Sequence, residues 1–139
     1  MVRSVRCPVA GSLDVVGDRW TLLIVRDLLR GHSRFSDLAR SVEGIPGSVL
    51  SDRLRLLERE SVVIRRSYSD RPPRSEYVLT AKGHGLGVVV GALASWGERH
   101  AEHDLSIVDK ECGHGVTVIY HCPICDRSSP RSRVRIVDS

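Results

Sequence analysis

Apolar residues recur at helical spacing over Pro8–Val16, where Val9, Leu13 and Val16 share one side and Pro8 suits a first turn, before Gly17 and Asp18 interrupt the pattern. A second helix is predicted over residues 20–29, with Trp20, Leu23, Ile24 and Leu28 as an apolar stripe, Asp27 as a flanking charge and Gly31 as the stop. A short helix over 34–41 points Phe35, Leu38 and Ala39 one way, and the run Glu43-Gly44-Ile45-Pro46-Gly47 breaks it. The helix predicted next, over 48–60, carries Leu50, Leu54 and Leu57 on one stripe and Ser48, Ser51, Asp52, Arg55 and Arg59 on the other side. One face is therefore core and the other polar.

Two β-prone runs, 62–66 and 76–79, flank a segment containing Arg71, Pro72, Pro73 and Arg74, which predicts a hairpin with a basic, stiffened tip. Thr80 is a good N-cap for a last long helix, in which Leu86, Val89, Val90, Leu93, Trp96 and His100 keep helical spacing to about His103. Gly83, Gly85, Gly87 and Gly91 weaken its intrinsic propensity, so packing must hold it.

At 139 residues the chain has room for one ordinary domain and an appendage. It contains no apolar run long enough for a membrane span, and its first ten residues lack a secretory signal, so a cytoplasmic protein is expected. The net charge is +4. All of the basic excess lies in the first hundred residues, with sixteen Lys or Arg against eleven Asp or Glu, and almost all of those cations are Arg. A guanidinium grips phosphate or guanine bidentately and keeps its charge at any relevant pH, which suits an anionic partner, although a coding bias toward Arg gives the same count.

Two helices, a helix-turn-helix, a two-stranded hairpin and a closing helix form an α+β, mostly α, winged helix. Six runs make the likeness specific. They are Cys7-Pro8-Val9, residues 13–20 (LDVVGDRW), Arg34-Phe35-Ser36-Asp37-Leu38, residues 49–54 (VLSDRL), residues 72–77 (PPRSEY) and Leu79-Thr80-Ala81-Lys82-Gly83. Over residues 6–103 the chain thus resembles the HxlR family of winged helix-turn-helix regulators. The resemblance implies a dimeric, DNA-binding transcription factor with its last long helix and N-terminal segment at the dimer interface. Residues 104–139 would form a separate tail. One departure is Ile45-Pro46-Gly47-Ser48, where many relatives have a Ser or Thr cap before the first turn; Ser48 acting as the cap would be partly occupied by backbone bonding.

The residues expected to meet double-stranded DNA follow from that frame. Ser48, Ser51, Asp52, Arg53 and Arg55 lie in the first turns of the helix that enters the major groove, with Arg55 the best reader of a base. Asp52 could accept from a cytosine amino group or orient Arg53 or Arg55. Arg71 and Arg74 suit a phosphate or minor-groove contact, and Arg34 suits a phosphate clamp beside a helix start. Without the family frame, each of these would read as an ordinary solvated side chain.

Cys7 precedes Pro8 and has Arg3 and Arg6 nearby, a cationic setting that favours the thiolate. The resemblance implies a thiol sensor there, responding to an oxidant or electrophile, and an inert buried Cys is the alternative. In the tail, Cys122-Pro123-Ile124-Cys125 has the spacing that lets two thiolates share a tetrahedral ion. With Cys112 as a third ligand and His114 or His121 as the fourth, a small zinc ribbon is expected. A redox dithiol and an unstructured tail are the alternatives, since the Arg- and Ser-rich end is poor in apolar residues. No nucleophile, base and orienting group can be assembled from the motifs, so no catalysis is expected. The competing functions are a redox protein using the tail dithiol and a winged helix used for protein contacts. Salt-dependent, sequence-selective DNA binding separates the regulator from both.

Overall fold

Helix α1 occupies Pro8–Val16, as the spacing predicts, and α2 follows at Thr21–Leu29. Asp18 supplies the acceptors that start α2: one carboxylate oxygen takes the backbone N–H of Trp20 at 2.8 Å and of Thr21 at 3.1 Å, and the Thr21 hydroxyl donates to the other. Helix α3 spans Phe35–Ser41 and α4 spans Gly47–Arg59. The structure, a computed structural model, describes residues 7–137. They divide into two compact units, one ending at Val90 and the other beginning at Gly91, a division that falls inside the last helix.

The core of the first unit gathers Ile24, Val25 and Leu28 from α2, Leu38 from α3, and Leu50, Leu54 and Leu57 from α4, closed by Val42, Ile45, Val62, Val63 and Leu79. Each such side chain taken fully from water contributes about 1.5–3 kcal/mol, the main return against chain entropy. Of the three residues expected to face inward from α3, only Leu38 is buried; Phe35 is 38% exposed and Ala39 is exposed. A two-turn helix offers one deep position here, and Val42 and Ile45 just beyond it supply the rest. Asp27, which the pattern places at the flank of α2, is fully buried at 0% exposure and is held by Arg26 through Nε at 2.8 Å and Nη2 at 3.0 Å. A buried carboxylate is tolerable only with such charge-assisted bonds.

The wing is longer than the β-prone runs suggest. Strands β1 (Val63–Asp70) and β2 (Pro73–Leu79) pair antiparallel from Val63↔Leu79 to Asp70↔Pro73, leaving Arg71 and Pro72 as the tip. Pro73 sits at the last rung, where its missing N–H costs no interior bond. The register shifts between Ser67 and Ser69, a bulge that leaves Tyr68 out of the ladder.

The expected long final helix is instead two. Helix α5 spans Ala81–His84, with Thr80 capping it by accepting the N–H of Gly83 at 3.1 Å, and α6 spans Gly87–His100. The glycines in this stretch make an unbroken helix costly. Gly83 is there for space as well, because a Cβ at this position would meet the carbonyl oxygen of Val62 at 2.2 Å. Helix α6 buries none of its side chains, and Leu93 and Trp96 stand 53% and 61% exposed.

In the second unit, Glu98 accepts the backbone N–H of Ile107 at 3.3 Å, tying the chain after α6 back to that helix. Val108 and Gly115 form an isolated antiparallel bridge. Strands β3 (Tyr120–Cys122) and β4 (Arg127–Ser129) form a small hairpin, followed by a short 3₁₀ turn at Arg131–Arg133. Residues 116–119 lie in no strand, and β3 begins only at Tyr120. Among the described residues, no helix is long and apolar enough to cross a membrane.

Candidate nucleic-acid interface

Helix α4 follows α3 through the Glu43–Pro46 turn and turns Leu50, Leu54 and Leu57 fully inward. That burial fixes the rotation of α4 and hence which side chains face solvent. Pro46, with φ −64° and ψ 142°, occupies the N-cap, and the helix starts at Gly47 with no side-chain cap. Ser48 is therefore not the cap: proline begins the helix earlier than expected, so Ser48 lies exposed within the first turn.

The charged residues of α4 fall into two groups. Arg55 Nη1 lies 3.0 Å from Asp52 Oδ1 one turn earlier, with both side chains mostly in solvent, so Asp52 orients Arg55 on the outer face. Arg53 instead turns inward, its Nη1 3.5 Å from Asp18 Oδ2, and Ser51 is half-buried. Burial works to raise the Asp18 carboxyl's pKa, but the hydroxyl of Thr21, the backbone N–H of Trp20 and Thr21, and Arg53 together hold it below the usual range.

The wing is anchored to the start of α3. Tyr77 N–H donates to the Ser33 carbonyl at 2.7 Å, Arg34 bridges to Glu76, and the Arg34 guanidinium lies 4.7 Å from the centre of the Tyr68 ring. The bulge that frees Tyr68 from the ladder thus gives Arg34 an aromatic face to rest on. Arg66 grips Glu76 through Nε at 3.0 Å and Nη2 at 2.6 Å, and Ser33 donates to the same carboxylate at 3.3 Å. The Arg66 guanidinium, above all, keeps Glu76 below the usual carboxylate range. At the tip, Arg71 and Arg74 are exposed, and among the described residues neither forms an ion pair. Asp18 and Glu76 stand in two of the family-like runs, LDVVGDRW and PPRSEY, but those runs do not specify the partners that the fold gives them, and Tyr68 lies in none of the six.

Cys7 is exposed at the N-cap of α1, where its carbonyl accepts the Gly11 N–H at 3.0 Å. The cations expected beside it, Arg3 and Arg6, lie outside the described residues. In the tail, Cys112, Cys122 and Cys125 are all exposed free thiols. Among the described residues, no three His, Cys, Asp or Glu side chains lie close enough to hold one metal ion, so Cys112 and His114 are not brought to Cys122 and Cys125. His121 Nε2 instead stands 3.4 Å from Asp126 Oδ1.

Residues 15–105 match the family described as HxlR-like helix-turn-helix. An uncharacterized HTH-type transcriptional regulator of Mycobacterium tuberculosis is 44% identical over 92 residues, which cover 66% of this chain and 58% of that relative's length. The crystal structure of PA1607, a candidate transcription factor, superposes with a TM-score of 0.83 at 30% identity, covering 98% of this chain and 97% of the other. The redox regulator HypR in its oxidized form gives 0.63 at 34% identity, covering 71% of this chain and all of that one. Matching a family model across most of its length, with two helices, a helix-turn-helix and a hairpin in order in its first unit, the chain belongs to the HxlR-like helix-turn-helix family.

Proposed function

We propose that this chain binds duplex DNA as a homodimer and regulates transcription, with α4 in the major groove and the wing tip against the flanking backbone or minor groove. The observation that carries this is the division of α4: three leucines fill the core, while Ser48, Asp52 and Arg55 face solvent behind a tight turn from α3. Arg55, pre-oriented by Asp52, suits the O6 and N7 acceptors of guanine. Arg34, Arg71 and Arg74 suit phosphate, which positions the protein without reading sequence. A protein of this kind works on the chromosome, in the cytoplasm, and its motifs support binding without catalysis.

Dimerisation rests on α6, whose Val88, Leu93 and Trp96 are exposed along a helix too short to persist unaided in water. A second copy would cover these side chains and set two copies of α4 on a near-palindromic site, with half-sites about one helical turn or a multiple apart. Exposed Cys7 at the start of α1 suits a thiol response. Its thiolate would take an oxygen atom from a hydroperoxide, giving the sulfenate and releasing water or an alcohol. The likeness to a protein named a redox regulator supports that reading.

The test is selection of bound duplexes from a randomised pool, followed by affinity measurements over a range of salt. A near-palindromic consensus is expected, with log K falling linearly against log salt. Equal affinity for selected and random duplexes at every salt concentration would overturn the proposal.

A further inference from the structure

Arg34, Glu76 and Arg66 stand in one row across three chain segments. Glu76 of β2 pairs with Arg66 of β1 along one edge and bridges Arg34 along the other, so the three side chains leave the sheet on the same face. A carboxylate set between two guanidiniums has a choice of partner, and here it is committed. Arg66 takes one oxygen of Glu76 through Nε at 3.0 Å and Nη2 at 2.6 Å, and the Ser33 hydroxyl donates to the other at 3.3 Å.

Arg34 is left to an aromatic ring. Its guanidinium carbon lies 4.7 Å from the centre of the Tyr68 ring, and among the described residues its side chain forms no salt bridge and donates no hydrogen bond. Tyr68 belongs to β1, on the far side of β2 from residue 34, so the two side chains meet across the middle strand. The register shift between Ser67 and Ser69 makes this possible, because a bulge re-aims the side chain it releases from the ladder. Arg34 is exposed and the Tyr68 ring is 39% exposed, so the pair lies open on the surface that also carries the wing tip.

Two consequences bear on binding an anion. The ring attracts the guanidinium through its π face, a contact that uses none of the N–H donors, whereas Arg55 spends one on Asp52. An arginine already resting on a ring also loses less rotamer freedom when it meets a phosphate than one that moves freely in water. The contact therefore holds Arg34 in place and leaves both its charge and its donors available.

We infer that Tyr68 is a positioning residue for DNA binding, its ring holding the Arg34 guanidinium ready for a backbone phosphate while Arg66 keeps the Glu76 carboxylate engaged elsewhere. This rests on the proposed DNA-binding function and adds to it an uncharged residue outside the helix that enters the groove. Tyr68 acts through Arg34, so its effect disappears when Arg34 is absent.

Affinity of the full chain is measured over a range of salt for two fluorescent duplexes, the selected site and a random sequence of equal length. Tyr68→Leu keeps apolar bulk without a π face and should weaken both duplexes alike, by about two- to fivefold. Tyr68→Phe keeps the face and should bind as wild type does. Arg34→Ala should weaken both duplexes more and flatten the salt slope by about one, and adding Tyr68→Leu to it should cost nothing more. A further loss in the double variant would overturn the inference, because the ring would then act on DNA or on the wing directly. So would Tyr68→Phe binding as weakly as Tyr68→Leu, or Tyr68→Leu binding both duplexes as wild type does, and either result leaves the proposed function standing. Wild-type protein that binds neither duplex would overturn the proposed function and the inference with it.

Discussion

Arg53 and Asp18, 35 positions apart in the chain, meet at 3.5 Å between Nη1 and Oδ2, on a carboxylate that also starts α2. The pair ties α4 to the N-terminus of α2. Arg53 thus has a positioning role available beside any contact with phosphate.

Replacing Asp18 should therefore cost stability and loosen α4 together. Asp18→Ala removes the acceptor for two backbone N–H groups and should cost about 1–2 kcal/mol in denaturant unfolding. The folded carboxyl lies below its ordinary value of 3.8, so its contribution is complete above that value and is lost as the pH falls through the lower folded value. The stability gap between wild type and Asp18→Asn should accordingly shrink on acidification below about pH 4. A gap that widens there would contradict the assignment.

Base reading and phosphate contact separate by mutation. Arg55→Ala should relax preference at one operator position by about 1–3 kcal/mol, while Arg71→Ala should weaken all duplexes alike and flatten the salt slope by about one. Asp52→Ala, which frees the Arg55 guanidinium, should blur the same position less than Arg55→Ala does. Uniform weakening by Arg55→Ala would move base recognition away from α4.

The exposed face of α6 predicts the oligomeric state. Leu93→Glu places a charge where a second copy would cover an apolar side chain, and should shift sedimentation from dimer toward monomer with little change in the fold of the first unit. A Leu93→Glu protein that sediments as the wild-type dimer would remove α6 from the interface.

Oxidant response should follow Cys7. Mild peroxide or a quinone should lower operator affinity, and Cys7→Ser should abolish the effect while leaving reduced binding intact. An undiminished response in Cys7→Ser would place the sensor among the tail thiols.

What the sequence determined by itself was local. The 3.6-residue spacing of Leu50, Leu54 and Leu57 marks the buried side of α4, the Pro46–Gly47 break marks its start, and Thr80 marks the start of α5. Six motifs in order were enough to identify the family, and the outward positions of Ser48, Asp52 and Arg55 followed from the same periodicity. Tertiary structure decided what depends on partners distant in the chain or on the backbone. Asp27 reads as a surface charge until α2 packs and encloses it, and Arg53 is indistinguishable from Arg55 until Asp18 arrives beside one of them. The strands of the wing extend through a Pro- and Ser-containing stretch because cross-strand pairing outweighs weak β-propensity.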